Sequence, residues 1–349
     1  MKRKITLRSL MTVLFITAIG SFISPFLGLG LFGASFVQKP EGATFMAITV
    51  EIWERDIEEN IFKDNEFLNY AVNADQYVLA GKVVHIPNAG GAPAVVKNRT
   101  DLPAQIVKRT DVDVTYPLDE YTSDPIKIEN AENYELSYDK RQSVLADSQG
   151  AINETIGDWV LRAWAPTTAA RMLRTTGAAI LAHLDGATGN RKKFLTTDLK
   201  LAQKKLNKDG VPKNDRYALF SADMLDQLTD SLTETQYRDF SAAFDAQNGI
   251  IGKLYGFNIL SRGSVLTYTN AALPVVKDPG ADAAATDNDA VLCWQKQAVE
   301  RAKGQIKFFE DIGNPTQYGD IYSALVRMGG RIRREDSKGI CVIIQDSSN

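Results

Sequence analysis

Apolar and polar residues change period several times along the chain, and each change marks a different kind of element. From Ile48 to Tyr70 the apolar residues Ile52, Ile57, Ile61, Phe67 and Leu68 recur at helical spacing among acidic neighbours, which predicts an arm with one or two short helices. Val83, Val84 and Ile86 then form a β-prone run, and Pro87 to Gly91 reads as a turn. From Gln105 to Tyr116 the pattern alternates: Ile106, Val107, Val112, Val114 and Tyr116 stand against charged and hydroxyl residues. That alternation predicts an extended hairpin with one polar side. A hairpin of this length cannot bury itself, so it must lie on another domain or another subunit.

Ser137 to Ala163 is the strongest helical stretch. Leu145, Ile152, Ile156, Trp159 and Ala163 fall on one stripe, and Pro166 ends it. An Ala-rich helix is expected within Thr167 to Asp185, and a shorter one over Thr197 to Leu206 with Leu199, Ala202 and Leu206 on its inner face. Tyr217 to Phe220 reads as a strand, Ser221 as the cap of a helix over Ala222 to Leu228, and Glu234 to Phe244 as a further helix. Strands are expected at Tyr255 to Leu260, Ser264 to Tyr268, Ala290 to Trp294, Gln305 to Glu310, Ile321 to Ile332 and Gly339 to Gln345. The Ala, Asp and Gly-rich stretch Asp278 to Asp289 reads as a surface loop. The class is α+β.

The first 45 residues break this picture. Four positive charges precede an uncharged run from Ser9 to Gln38, long enough to cross a bilayer. Met46-Ala47-Ile48 then resembles the start of a separate soluble chain. A start assigned too far upstream, an export or anchor segment, and a processed leader are the three readings. Gly28-Leu29-Gly30-Leu31-Phe32-Gly33 matches a dinucleotide-binding pattern, but it lies inside the apolar run and lacks the flanking strand and helix which that chemistry needs.

Composition narrows the function. The formal net charge of -3 disfavours a protein that wraps nucleic acid by neutralising phosphates. His85 and His183 are the two histidines of the sequence, and neither has a partner at metal-ligand spacing. A Ser-His-Asp triad would have to use one of them. Cys293 and Cys341 lie in apolar runs, as two buried small hydrophobes or as one disulfide pair. No constellation points to an enzyme, a metal or a cofactor.

Three stretches in this order carry a resemblance. Gly81-Lys82-Val83-Val84-His85-Ile86-Pro87 leads through Lys108-Arg109-Thr110-Asp111 to Tyr121-Thr122-Ser123-Asp124-Pro125. Glu135 to Arg141 opens the long helix. Tyr318-Gly319-Asp320-Ile321 leads through Gly329-Gly330-Arg331-Ile332-Arg333-Arg334 to Gly339-Ile340. Together they resemble the Hong Kong 97-type major capsid proteins of tailed phages. The resemblance implies an apolar leader over 1–45 foreign to the family, an N-terminal arm over 46–80, and an extended hairpin or E-loop over 81–136. It further implies a spine helix with peripheral domain over 137–190, an axial domain over 191–310 and returning peripheral strands over 311–349. It implies a non-enzymatic subunit of an icosahedral shell, self-association in pentamers and hexamers, enclosed double-stranded DNA, and a portal with scaffold or decoration proteins as further partners. The virion is the expected location, after assembly in a bacterial cytoplasm. An encapsulin-type nanocompartment shell is the alternative, and an exported or membrane-anchored surface protein a more distant one.

His85, Arg99, Lys108, Arg109, Arg331, Arg333 and Arg334 are the expected inter-subunit contacts. On a strand Arg331 and Arg333 share a face and Arg334 opposes them. Their removal is expected to spare the free subunit and to harm assembly.

Overall fold

A computed structural model of the chain describes residues 53–58, 60–61, 65–79, 82–88, 97–100, 112–129, 140–334 and 336–347. The leader and its glycine pattern lie outside these residues. The body described below spans residues 56–349.

In chain order the strands begin with Val72–Asn73 (β1), Val78–Leu79 (β2), Val83–Asn88 (β3), Val112–Pro117 (β4), Asp119–Thr122 (β5) and Ile126–Glu129 (β6). A long helix, Lys140–Trp164 (α1), follows. Next come Met172–Arg174 (β7), Ala179–Leu181 (β8), Asn190–Lys192 (β9), the helix Thr196–Lys208 (α2), Arg216–Ser221 (β10), and the helices Ala222–Asp230 (α3) and Glu234–Ser241 (α4). The chain continues through Gly252–Leu254 (β11), Phe257–Arg262 (β12), Leu266–Tyr268 (β13), Asn288–Gln295 (β14), Val299–Asn314 (β15), Gly319–Ile332 (β16) and Ile340–Ile344 (β17).

Two sheets organise the body. The first runs β11-β12-β10-β14-β17-β7, with β13 beside β14. Every residue of β10, β14 and β17 is buried. Their sequences are nearly continuous apolar runs, as a sheet covered on both faces requires. Ala218, Phe220, Val291, Cys293, Cys341 and Ile343 point to one side, where Leu199, Ala202 and Leu206 of α2, Met224 and Leu228 of α3 and Phe240 of α4 meet them. On the other side Trp294 contacts Trp164 and Tyr217, with ring centroids 5.9 Å apart in both cases. The second sheet runs β1-β15-β16-β5, with β6 also on β16. Its centre is the long antiparallel pair β15 and β16, and α1 packs against β16.

The local expectations for α2 and for the β10–α3 junction hold. Asp198 reaches back to the Leu195 amide at 3.0 Å to close the first turn of α2. Ser221 Oγ accepts from the Met224 amide and caps α3.

Others need correction. Residues 167–185 hold no α-helix: a single 3-10 turn leads into β7, which pairs in parallel with β17, and β8 pairs with β9. His183 therefore follows a strand. In α1 the buried stripe is Ile152, Ile156, Val160 and Trp164, while Trp159 is 36% exposed and Ala163 faces out. A spacing of four, not the mixed spacing through Trp159, meets the body. Gly157 is required there, because a Cβ would lie 2.2 Å from Asn65 Oδ1. Pro87 and Asn88 are not a turn but the end of β3. The Asp278–Asp289 loop is not wholly superficial: Asp287, Asn288 and Asp289 are buried, and Arg191 donates to the carbonyls of Ala285 and Asp287. Finally, β17 joins β14 and β7, so the final strands expected to return together divide between the two sheets. Cys293 and Cys341 are free and stand opposite each other across β14 and β17.

Candidate assembly site

The hairpin begins where β3 pairs with β4 from Val83↔Pro117 to Asn88↔Val112. That register is centred on residue 100. The turn at Lys97–Asn98, with Asn98 at φ 54°, lies close to this centre. The base is held by a small cluster of Ala74, Val84, Leu118 and Ala302, joined by Val78 and Tyr116. The β3–β4 pair is thus anchored at its base.

Beneath the root lies a buried charge. Glu300, 1% exposed, accepts from Arg331 Nε at 2.5 Å through Oε1 and pairs with Arg333 Nε at 3.2 Å through Oε2. Its backbone carbonyl accepts from Trp164 Nε1 at the end of α1, at 3.0 Å. The guanidinium of Arg331 also stands 5.3 Å from the Tyr116 ring centroid, a cation–π distance. Burial, reinforced by the Glu300 charge, pushes the Tyr116 phenol well above its ordinary range. One residue therefore joins these elements: the Glu300 carboxylate holds Arg331 and Arg333 across the β15–β16 pair, and its backbone carbonyl holds the long helix. Gly330 permits this approach, since a Cβ there would meet Trp164 Nε1 at 2.8 Å and Val160 Cγ1 at 3.0 Å.

The arm is latched to the same strand. Asp75 Oδ1 accepts from the Lys303 amide at 2.6 Å, and Arg301 Nε donates to the Leu68 carbonyl at 3.1 Å. Trp294 Nε1 donates to the Tyr70 carbonyl at 3.0 Å.

Of the expected contact residues, Arg99 is exposed beside the turn at Lys97–Asn98. His85 lies in β3 opposite Thr115, and its side chain is outside the described residues, as are Lys108 and Arg109. Arg331 and Arg333 do share a face, but they spend it on Glu300 of their own chain. The expectation that their loss spares the free subunit is thereby corrected: it would leave a buried carboxylate unpaired. Arg334 forms a two-pronged pair with Asp336, both bonds 2.9 Å, and this holds the Asp336 carboxyl well below the usual range. Glu300, Tyr116 and Asp75 were not singled out from the sequence. A Glu flanked by Val299 and Arg301 gives no local sign of its burial.

His183, Ser221 and Asp289 do come together, though not as a catalytic triad. His183 Nε2 lies 3.0 Å from Asp289 Oδ2, and Ser221 Oγ donates to the same oxygen. The hydroxyl faces the carboxylate and not the imidazole, so His183 is not placed to take its proton as it would in a triad. Gln227 Nε2 lies 3.4 Å from His183 Nδ1. The group fastens β14 to the start of α3. Among the described residues no group of three or more His, Cys, Asp or Glu could hold a metal ion.

The model of the phage capsid protein family matches residues 59–327, and the chain belongs to that family. It is a structural shell subunit. No curated protein matches the chain in sequence. Among solved structures it is similar to the capsid of Ralstonia phage GP4, with TM-score 0.56 and 13% identity over 82% of this chain and 91% of that one. It is also similar to the capsid of cyanophage P-SCSP1u, with TM-score 0.53 and 19% identity over 80% and 87%. The head of Helicobacter pylori bacteriophage KHP40 follows with TM-score 0.51 and 12% identity over 80% and 90%. At these identities the likeness is one of fold, and the fold is the Hong Kong 97-like capsid fold.

Proposed function

We propose that this chain assembles with copies of itself into pentamers and hexamers of an icosahedral phage shell, with no catalytic activity of its own. The shell encloses double-stranded DNA without reading its sequence, in keeping with a net charge of -3. Assembly takes place in the bacterial host cytoplasm, with a portal and scaffold or decoration proteins as partners. Residues 46–80 serve as the arm and 81–136 as the hairpin with its return. His85, Arg99, Lys108 and Arg109 meet a neighbouring subunit, and Arg331, Arg333 and Arg334 reach one with whatever surface their internal pairs leave free. The encapsulin alternative shares the fold but has less support, because the matching family model is that of phage capsids. The surface-protein alternative draws on the leader; among the described residues no helix is long and apolar enough to cross a membrane.

The observation that carries this reading is the β3–β4 pair, rooted on the body by Val84 and Leu118. Replacing residues Asn88 to Val114 by a short Gly-Ser linker tests it. The variant should remain a folded monomer and form no shells in a sedimentation assay. Normal particles from that variant would remove the hairpin from assembly.

A further inference from the structure

Helices α2, α3 and α4 form one layer over the seven-stranded sheet, and the charges on its outer surface are sorted. α2 packs on β17 and β7, α3 on β10, β12 and β14, and α4 on β11. Since β7 and β11 are the two ends of the strand order, the outer helices stand roughly 24 Å apart at ~4.8 Å per strand. On α2, Lys200, Lys204 and Lys208 are exposed at a spacing of four, with Leu201 exposed 41% beside them. Like charges four residues apart repel on a helix face. None of these lysines has an ion pair among the described residues. The one acid of α2, Asp198, is buried and bonded to Leu195 and Thr176. On α3 and at the start of α4 the exposed charges are mainly acidic, while Arg238 of α4 is exposed and pairs with its neighbour Asp239. Asp223, Asp226 and Glu234 are exposed and likewise without an ion pair among the described residues. Asp230 is taken by Lys193.

The chain therefore carries both halves of one complementary contact, placed at different ends of one layer. A head-to-tail interface that closes into a ring needs this arrangement, with each subunit offering one half to each neighbour. A face meant for DNA would account for the lysines and leave the acids without a role.

We infer that the lysine face of α2 docks on the acidic face of α3 and α4 of the next copy of this chain around each capsomer. The inference rests on the shell-subunit reading and names the surface that reading requires. Charges of this kind steer association and penalise wrong partners.

The test uses the full chain in two charge-reversed forms, Lys200→Glu with Lys204→Glu and Asp226→Lys with Glu234→Lys. Each form alone presents two like faces, and its capsomer yield by sedimentation should fall at least about tenfold. An equimolar mixture should recover six-membered rings, in which the two forms alternate. Five-membered rings should stay absent, because an odd ring cannot alternate. Wild-type yield from either form alone overturns the inference, as does a mixture of folded subunits that stays unassembled. Normal assembly of the lysine variant with less packaged DNA gives the α2 face to DNA and overturns it too. A wild-type chain that forms no capsomers under the same conditions overturns the shell reading and this inference with it. If a reversed form fails to fold by its melting curve, Lys200→Met with Lys204→Met and Asp226→Asn with Glu234→Gln take its place. Unchanged yields from both would then decide against the contact.

Discussion

The two large sheets of this subunit solve opposite problems. In β10, β14 and β17 no residue reaches solvent, and helices cover one face while Tyr70, Trp164 and their neighbours cover the other. In β15 burial fades along the strand: Val299 and Glu300 are buried, whereas Phe309 is 49% and Ile312 47% exposed. The first sheet is a finished core. The second begins at a buried ion pair and runs outward to apolar residues that the single chain leaves uncovered. The contrast separates what the subunit needs to fold from what it needs to assemble.

The largest effect should come from the finished sheet. Phe220 is fully buried and stacks edge-on with Phe194 at 5.2 Å. Phe220→Ala should cost about 3–5 kcal/mol of subunit stability, measured by denaturant unfolding. A loss under about 1 kcal/mol would mean that this sheet is not the core on which the fold depends.

The root of the second sheet comes next. Arg331→Ala with Arg333→Ala should destabilise the subunit by about 3 kcal/mol, because Glu300 stays buried without partners. Adding Glu300→Leu should recover most of that loss, since an apolar replacement removes the charge that needs pairing. If the triple variant melts no higher than the double, the arginines act through packing and not through Glu300.

A smaller effect belongs to the Asp289 group in the first sheet. Burial pulls His183 toward its neutral form, but the hydrogen bond and charge of Asp289 outweigh that and raise its pKa. A raised folded-state pKa adds stability that is complete below the ordinary histidine value of about 6.5 and is lost as pH rises through the folded-state value. The melting temperature should therefore fall as pH rises above the ordinary histidine value, and His183→Asn should remove this part of the slope. An identical slope in the variant would assign the pH dependence to other groups.

The smallest effect on the subunit should come from the open half of β15. Phe309→Ser with Ile312→Ser should change stability by less than about 0.5 kcal/mol and still reduce particle yield. Equal yields would show that these residues stay in water in the shell.

The finished sheet was also the more legible one. Leu199, Ala202 and Leu206 marked the inner face of α2, and Ser221 marked the start of α3, because both signals are confined to a few consecutive residues. β7 was missed because its Ala-rich surroundings favour a helix locally, whereas its strand state comes from Ile343 and its neighbours about 170 residues later. The stripe of α1 was read through Trp159 because it lies three residues after Ile156 and four before Ala163, and only the body it packs against selects Val160 and Trp164. At the assembly site the shared face of Arg331 and Arg333 was legible from strand alternation. Their partner was not, since pairing β15 with β16 is what sets Glu300 opposite Arg331.

The position of β17 carries a consequence for synthesis. It follows every other described strand in the chain, yet it sits inside the sheet between β14 and β7, buried at all five positions. A nascent polypeptide cannot fill that slot until residue 344 has left the ribosome. Until then β14 keeps an unpaired edge and α2 lacks the strand it packs on most. A prematurely terminated product would thus be recognisable to proteases before it could be recruited by its siblings. The strand made last is thus the one on which closure of the first sheet waits.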